Sequence, residues 1–274
     1  MSPELSISRT VVLLGAGRVA QHMGPALQEA GHRVLQVWSR SAASAAALAA
    51  QLPGATATTT ATTLPAADLY IVAVPDAAVP AVLAAARFPA GALVVHTAGA
   101  LPLSVFEEWP TLRGGVLYPL QTFSPGRRLD WPTVPLCVEA ADAAGEAELL
   151  AVGHSLSHNV RLVNTRQRLR LHVAAVFACN FTNHLLGISH ALLTDENLPL
   201  DLLTPLVRET IDKALAHPPF TVQTGPAARH DRPTLARHEA ALAAYPGWQK
   251  LYKVLSESIQ QQASGAAQNN LDPL

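Results

Sequence analysis

Residues 10–20 read Thr-Val-Val-Leu-Leu-Gly-Ala-Gly-Arg-Val-Ala and decide the fold of the first half of the chain. An apolar, β-branched run passes directly into Gly15-Ala16-Gly17-Arg18-Val19-Ala20, which predicts a strand, a tight turn and the start of a helix. Gly15 permits the turn, Gly17 lets a pyrophosphate approach the backbone, and Ala20 keeps helix and strand close. The helix N-terminus offers unpaired N–H groups to phosphates. The motif predicts a dinucleotide site, and a purely structural glycine turn is the alternative.

Short β-branched runs alternate with alanine-rich helical stretches over the first 163 residues, which is typical of βαβ units on a parallel sheet. We predict a Rossmann-type, dinucleotide-binding domain at residues 1–164 and an all-α domain for substrate binding and dimerisation at residues 165–274. The predicted strands are Thr10–Leu14, Val34–Trp38, Ala55–Thr58, Leu69–Val74, Leu93–His96, Gly115–Tyr118, Val134–Glu139 and Val160–Val163, and the predicted helices between them are Val19–Ala30, Ala42–Gln51 and Val79–Ala86.

The second half contains a long helix candidate, Arg166 to Leu193, which is apolar on nearly every face and is therefore predicted to be buried. At 3.6 residues per turn, His172 and Asn183 share one stripe of this helix, and Asn180 and His184 lie about a quarter-turn away. These polar groups predict a cleft wall; hydrogen bonds between helices or across a dimer interface are the alternative. Further helices are predicted at Leu202–Ala216, Thr234–Ala243 and Trp248–Gln262.

The end of the second predicted strand indicates which dinucleotide binds. An NAD site usually carries Asp or Glu at this point, but the sequence reads Trp38-Ser39-Arg40-Ser41. The Arg40 guanidinium can pair with a 2′-phosphate while Ser39 and Ser41 donate hydrogen bonds, which favours NADP(H). A solvated arginine at the start of a helix is the alternative interpretation.

Two further strand ends belong to the same carboxyl edge of the sheet, where ligands bind in open α/β folds. Val74 and Pro75 lie at the end of the fourth strand, and Gly99 closes the turn after the fifth, so we expect these three residues beside the cofactor. His96 and Thr97 are predicted to lie near the nicotinamide as candidate catalytic groups, although a buried, hydrogen-bonded histidine at a strand end fits equally well.

Composition excludes several classes of partner. The formal net charge is −1 and only 14% of residues are charged, so no basic stripe favours nucleic acid or an anionic membrane. Cys137 and Cys179 form no CxxC pair, and the histidines show no metal-ligand spacing, so we expect neither a disulfide framework nor a metal site. The absence of a signal sequence or a long apolar run predicts a cytoplasmic protein.

Three motifs resemble a bacterial family that joins a Rossmann-like domain to a helical domain of unknown function, DUF2520. They are Tyr118-Pro119-Leu120-Gln121-Thr122-Phe123, the stretch Leu171-His172-Val173-Ala174-Ala175-Val176-Phe177-Ala178-Cys179-Asn180-Phe181-Thr182-Asn183-His184, and Gln223-Thr224-Gly225-Pro226-Ala227. More distantly, the chain is similar to pyrroline-5-carboxylate reductase and the β-hydroxyacid dehydrogenases, whose helical domains are of the 6-phosphogluconate dehydrogenase C-terminal type. The resemblance implies an NAD(P)-dependent oxidoreductase that forms a homodimer.

The same resemblance raises a question about catalysis. In the β-hydroxyacid dehydrogenases the matching helix carries a lysine, which Asn180 replaces, and the first 212 residues contain no lysine at all. Asparagine orients a carbonyl or imine but exchanges no protons near neutral pH, so His184 or His172 would supply the proton. We therefore expect a small-molecule substrate between the Thr97–Gly99 turn and the Asn180/His184 face.

Two functions remain open from the sequence. The first is an NADP(H)-dependent oxidoreductase acting on a small carbonyl, imine or hydroxyl compound. The second is a non-catalytic NADP(H)-binding sensor or assembly protein that keeps the fold without the chemistry.

Overall fold

A computed structural model describes residues 8–269 of the chain. Its strands are β1 (Thr10–Leu14), β2 (Arg33–Trp38), β3 (Thr56–Thr58), β4 (Leu69–Val72), β5 (Leu93–His96), β6 (Arg113–Pro119), β7 (Leu136–Ala140) and β8 (Val160–Leu162). They form one sheet in the order β3-β2-β1-β4-β5-β6-β7-β8. All neighbouring strands are parallel except β6 and β7. The predicted Rossmann-type parallel sheet is confirmed.

The antiparallel pair follows from the connection before β7. Residues 120–135 contain one short 3₁₀ turn, Trp131–Thr133, and no α-helix. A parallel neighbour needs a crossover, usually a helix, that carries the chain back to the opposite end of the sheet. Without a helical crossover here, β7 runs back along β6.

Helices cover both faces of the sheet, and the core follows the alternation of side chains along β1. Val11 and Leu13 pack with Leu27 in one cluster, whereas Val12 and Leu14 belong to a second cluster with other partners. The helices are α1 (Arg18–Glu29), α2 (Ala42–Ala49), α3 (Val79–Ala85), α4 (Ala143–Leu156), α5 (Thr165–Ala175), α6 (Thr182–Asp195), α7 (Thr204–Ala216), α8 (Arg232–Ala241) and α9 (Pro246–Asn269).

Helix α4 was not predicted from the sequence. It joins β7 to β8 as the crossover of a parallel pair. Asp142 caps it by accepting a hydrogen bond from the Gly145 N–H at 2.6 Å, and Leu149 and Leu156 are buried in the core. Its two glycines, Gly145 and Gly153, lower helix propensity and hide the pattern. Gly153 lies against Val160 of β8, where a Cβ would meet a methyl carbon at 2.8 Å.

The long helix predicted at Arg166–Leu193 exists but differs from the prediction in two respects. Asn164 and Gln167 form a capping box at its start. A π-helical segment, Val176–Phe181, then interrupts it between α5 and α6. The i→i+5 spacing of a π turn changes the register, so the stripe derived from 3.6 residues per turn does not extend across the segment. The predicted burial is also wrong for the single chain, in which Arg168 is the only buried residue between Thr165 and Asp195.

By length and composition alone, the helix Thr165–Asp195 could cross a membrane, and no other helix of the described residues could. The chain divides into two compact units, residues 1–178 and residues 179–274, and the division falls inside the π-helical segment. The first unit contains the sheet with α1 to α5, and the second contains α6 to α9.

Candidate functional site

The glycine turn after β1 has the geometry that its sequence predicts. Gly15 has φ of +127°, a conformation that favours glycine, and a Cβ there would lie 2.3 Å from the Ala73 carbonyl oxygen. Gly17 is the N-cap of α1 and offers no side-chain cap, and the first turn of α1 carries no acidic residue. The first N–H groups of α1 therefore face outward without a side-chain acceptor. Ala20 is fully buried where α1 packs on the sheet.

A pocket of about 500 Å³ opens at this turn. It lies at the carboxyl ends of β1, β2 and β4, where open α/β sheets bind ligands. The predicted cofactor residues that line it are Gly15, Ala16, Gly17, Ser39, Arg40, Val74 and Pro75. The predicted residues outside its lining are Arg18, Val19, Ala20, Ser41 and Gly99.

The serine–arginine segment after β2 forms one end of the pocket. Ser41 caps α2 by accepting a hydrogen bond from the Ser44 N–H at 3.2 Å, so its hydroxyl oxygen is engaged in structure. Arg40 is exposed and makes no ion pair within the described residues. Ser44 also lines the pocket and was missed by sequence reasoning. Its spacing of one helical turn from Ser41 was the available signal.

His96, at the end of β5, is fully buried. Its Nδ1 accepts a hydrogen bond from the Ala98 N–H at 3.1 Å, and its ring stacks on Phe106 with centroids 5.9 Å apart. Burial, followed by the positive charge of Arg168, lowers the pKa of His96 to about 3, which the Pro102 carbonyl only partly opposes. The imidazole is therefore neutral at physiological pH. Its hydrogen bond to Ala98 and its stacking on Phe106 favour a structural role for His96, in which it holds the turn after β5, over a role in proton transfer.

The turn after β5 meets a tyrosine–histidine pair. The Tyr118 hydroxyl at the end of β6 lies 3.0 Å from Nδ1 of His172 on α5. A Cβ on Gly99 would lie 2.5 Å from the same nitrogen. Thr97, two residues before Gly99 in the sequence, is buried, and its N–H donates to the Val72 carbonyl at 3.3 Å. The structure thus brings together two of the predicted residues, Gly99 and His172, with Tyr118, which the sequence analysis left without a role.

A buried ion pair fixes the start of α5 next to this turn. The Arg168 guanidinium donates to Glu139 on β7 and to the Leu101 carbonyl. The Thr165 N–H and hydroxyl both donate to Glu139, at 2.7 and 2.9 Å, and the Thr165 hydroxyl accepts from the Leu103 N–H. Arg168 was missed because a charged residue at the start of a helix usually faces solvent.

The remaining candidate residues lie in the second compact unit. Asn180 belongs to the π-helical segment and His184 to α6, and both are exposed in the single chain. π-Helical turns occur frequently at functional sites. Within the described residues, no three histidine, cysteine or carboxylate side chains come together in a group that could hold a metal ion.

Each half of the chain matches a known protein family. A Rossmann-like domain matches residues 3–121, and the domain of unknown function DUF2520 matches residues 134–259. A Bacteroides fragilis protein, whose assignment as an NADP oxidoreductase is provisional, is 40% identical in sequence with a TM-score of 0.83. That match covers 93% of this chain and 98% of the other. No match occurs among the curated proteins.

More distant structures share the fold. A Thermotoga maritima protein is 21% identical with a TM-score of 0.69, over 94% of this chain and 99% of the other. A reductive aminase from Aspergillus terreus, solved with NADPH and ethyl levulinate, is 20% identical with a TM-score of 0.65, over 94% of each chain.

The sheet, the glycine turn and the helical second half define a protein of the Rossmann class with a pocket at the carboxyl edge of its sheet. The chain belongs to the same family as the Bacteroides fragilis protein. In this chain, the Rossmann-like domain precedes DUF2520. The resemblance drawn from the three motifs is confirmed.

Proposed function

We propose that this protein is an NADP(H)-dependent oxidoreductase that reduces a small carbonyl or imine compound, or oxidises the corresponding hydroxyl compound. The observation that carries the proposal is the pocket joining Gly15–Gly17 to Arg40. One end offers backbone N–H groups of α1 without a side-chain cap, and the other offers the Arg40 guanidinium, which makes no ion pair with the residues that the structure describes. These are the donors that a pyrophosphate and a 2′-phosphate require.

The chain's own residues fit the dinucleotide in detail. Gly15 and Gly17 carry no side chain where the pyrophosphate approaches, and Gly15 has a positive φ that favours glycine. Within the described residues, no side chain makes a capping hydrogen bond at the start of α1. Arg40, with Ser39 and Ser44 beside it, provides the charge and hydroxyls for the ribose phosphate. Bound NADPH supplies a hydride. The related Bacteroides fragilis protein, provisionally an NADP oxidoreductase, supports the same cofactor.

The cofactor preference is tested by the variant Arg40→Ala. We expect wild-type protein to bind NADPH more tightly than NADH, because only NADPH gives Arg40 a phosphate to pair with. The variant should lose about 1.5–3 kcal/mol of NADPH binding, as for a hydrogen bond to a charged group, and should bind NADH as before. Isothermal titration calorimetry measures all four affinities.

Arg33→Ala is the matched control. Arg33 is also exposed, but it lies at the start of β2, whereas Arg40 follows the end of this strand, and Arg33 does not line the pocket. It should leave NADPH affinity unchanged. Equal affinity of the wild-type protein for NADPH and NADH would contradict the proposed role of Arg40.

Turnover is tested by NADPH oxidation with a panel of ketones, aldehydes and preformed cyclic imines, and of ketones mixed with amines. Reductive amination is included because a reductive aminase shares this fold, which is a fold-level analogy only. If Asn180 orients the substrate as predicted, Asn180→Ala should lose most turnover and keep its NADPH affinity. NADPH binding without turnover on any compound would favour the second candidate, a non-catalytic sensor or assembly protein, which the lack of lysine before Lys213 also favours.

A further inference from the structure

The pair formed by Tyr118 and His172 is the most specific polar arrangement at the sheet edge to which no role has been given. The Tyr118 hydroxyl lies 3.0 Å from Nδ1 of His172, and the two rings meet edge-to-face at 71°. Tyr118 is the penultimate residue of β6, which runs parallel to β5. Its ring therefore lies at the carboxyl edge, one strand from the turn that follows His96.

Gly99 provides the space for this pair. A Cβ at this position would lie 2.5 Å from Nδ1 of His172 and 2.9 Å from Cζ of Tyr118. Contacts under 3.0 Å are essentially never observed for real Cβ atoms, so any other residue at position 99 would displace one of the two rings. The strand-end turn, the tyrosine and the histidine are thus fitted to one another, although they come from three separate parts of the chain.

The surroundings leave one nitrogen of His172 available. Tyr118 is only 9% exposed, whereas His172 is half-buried. Burial raises the pKa of Tyr118 to about 12, Cys137 and Asp76 act in the same direction, and Arg168 opposes them, so the phenol keeps its proton. The hydroxyl engages Nδ1, and no hydrogen-bond partner of Nε2 is found in the described residues.

We propose that Tyr118 is a positioning residue, which holds His172 through Nδ1 so that Nε2 donates the proton to the substrate. The inference rests on the proposed function and names the proton donor for it. In the forward reaction, the substrate carbon accepts the hydride of NADPH, and the electron pair of the C=O or C=N bond moves to the heteroatom. The heteroatom takes the Nε2 proton of the His172 imidazolium, and the remaining Nδ1 proton is donated to the Tyr118 oxygen. A proton taken up from bulk solvent restores the imidazolium after product release.

The test replaces Tyr118 by phenylalanine, which removes only the hydroxyl, and observes His172 directly. In protein labelled with ¹⁵N-histidine and free of cofactor, His172→Gln assigns the signals of this ring. We expect wild-type His172 to show one dominant tautomer when neutral. Tyr118→Phe should shift both ring nitrogens toward the mixed tautomers of free imidazole. Gly99→Ala should produce a comparable shift, because its Cβ would push the two rings apart while the Tyr118 hydroxyl is kept. With two independent variants, the test stays valid if either one folds poorly.

A second tyrosine–histidine pair supplies the control. In the second compact unit, the Tyr252 hydroxyl lies 2.8 Å from Nδ1 of His238, and the rings meet at 75°. Tyr252→Phe removes the same group from the same geometry, so it should alter the His238 signals and leave those of His172 unchanged. It should also leave turnover at the wild-type level.

Turnover and cofactor affinity separate positioning from general stability. Tyr118→Phe should lower kcat at least about tenfold, as expected when a general acid loses its alignment, and should leave NADPH affinity within about twofold. Unchanged His172 signals in both Tyr118→Phe and Gly99→Ala overturn the inference. Altered signals with kcat equal to that of Tyr252→Phe overturn it as well, because the pair is then structural. A wild-type protein that does not bind NADPH refutes the proposed function instead, and the spectra still report on the pair.

Discussion

The imidazole of His96 carries no charge near neutral pH because of where the β5 strand ends. Its ring is fully buried, stacks on Phe106 and accepts the Ala98 N–H, so a proton on Nδ1 would break a hydrogen bond inside the core. The positive charge of Arg168 adds to the cost. A histidine at a strand end is thereby converted from a titrating group into a hydrogen-bond acceptor that shapes the next turn.

This neutrality predicts how stability depends on pH. The folded-state pKa of His96 is lowered to about 3, whereas the unfolded chain binds the proton near pH 6.5. The stability that His96 contributes is therefore complete above pH 6.5 and is lost as the pH falls toward 3. Between pH 7.5 and pH 5 the loss should be about 2 kcal/mol in the free energy of unfolding, measured by urea denaturation.

The variant His96→Asn isolates this contribution. The asparagine oxygen can accept the Ala98 N–H as Nδ1 does, but the side chain does not titrate. We expect a lower stability at pH 7 from lost stacking and a shallower decline toward pH 5. His32, whose pKa is also lowered by burial and by Arg9, is present in both proteins and cancels in the difference. Parallel declines of the two proteins would show that His96 does not contribute.

At the scale of elements, the start of α5 is fixed to the sheet by charge as well as by packing. The Arg168 side chain is 1% exposed and pairs with Glu139, which is 14% exposed. Thr165 donates to the same carboxylate, and Arg168 also reaches the Leu101 carbonyl. Because α5 carries His172 one turn later, the ion pair also sets the height of the candidate proton donor above the sheet edge.

Removing one partner of this pair should be costly. Arg168→Leu removes the cation that pairs with the largely buried Glu139 carboxylate and leaves it with the Thr165 donors only, so we expect a loss of about 3 kcal/mol in the free energy of unfolding. Arg168→Leu/Glu139→Gln should recover part of the loss, since a neutral amide still accepts from Thr165. Arg128→Leu, which breaks the exposed ion pair with Glu29, should change stability by at most about 1 kcal/mol. Urea denaturation of all three variants measures the difference, and equal effects of Arg168→Leu and Arg128→Leu would contradict it.

At the scale of the whole molecule, we expect a binding partner to cover the exposed apolar side chains of the helical half. Large apolar side chains are exposed along this half of the single chain, among them Phe181, Leu185, Leu198, Leu202, Leu206, Leu215 and Phe220. Large exposed apolar patches usually mark an interface. Asn180, Asn183 and His184 in the middle of the long helix would be costly inside a bilayer. We therefore propose that a second copy of the chain covers this surface.

The dimer is tested by light scattering at micromolar concentration, where we expect twice the mass of one chain. Leu215→Glu places a charge on a side chain that is 83% exposed in the single chain and should weaken the dimer. Ala47→Glu adds the same charge to an exposed position of α2 and should not. A monomeric wild-type protein would refute the proposal, and binding of the monomer to lipid vesicles would assign the surface to a membrane instead.

The local structure of this protein could be predicted without knowledge of its fold. The strand Thr10–Leu14, the turn at Gly15 and the helix that follows depend on neighbours in the chain, because φ freedom, capping and hydrophobic period act over a few residues. For the same reason Gly15, Ser39 and Arg40 could be predicted at the pocket from spacing alone. The change from alternating strands and helices to helices alone after Asn164 indicated the order of the two domains.

Contacts between side chains that are distant in the sequence depend on the fold. Tyr118 and His172 are separated by 54 residues, and Arg168 and Glu139 by 29 residues, so no local pattern relates the members of either pair. The antiparallel β7 depends in the same way on its neighbour in the sheet. The burial predicted for the long helix was wrong for the single chain. An apolar helix surface indicates that the helix is covered, but it does not identify whether the same chain or a partner covers it.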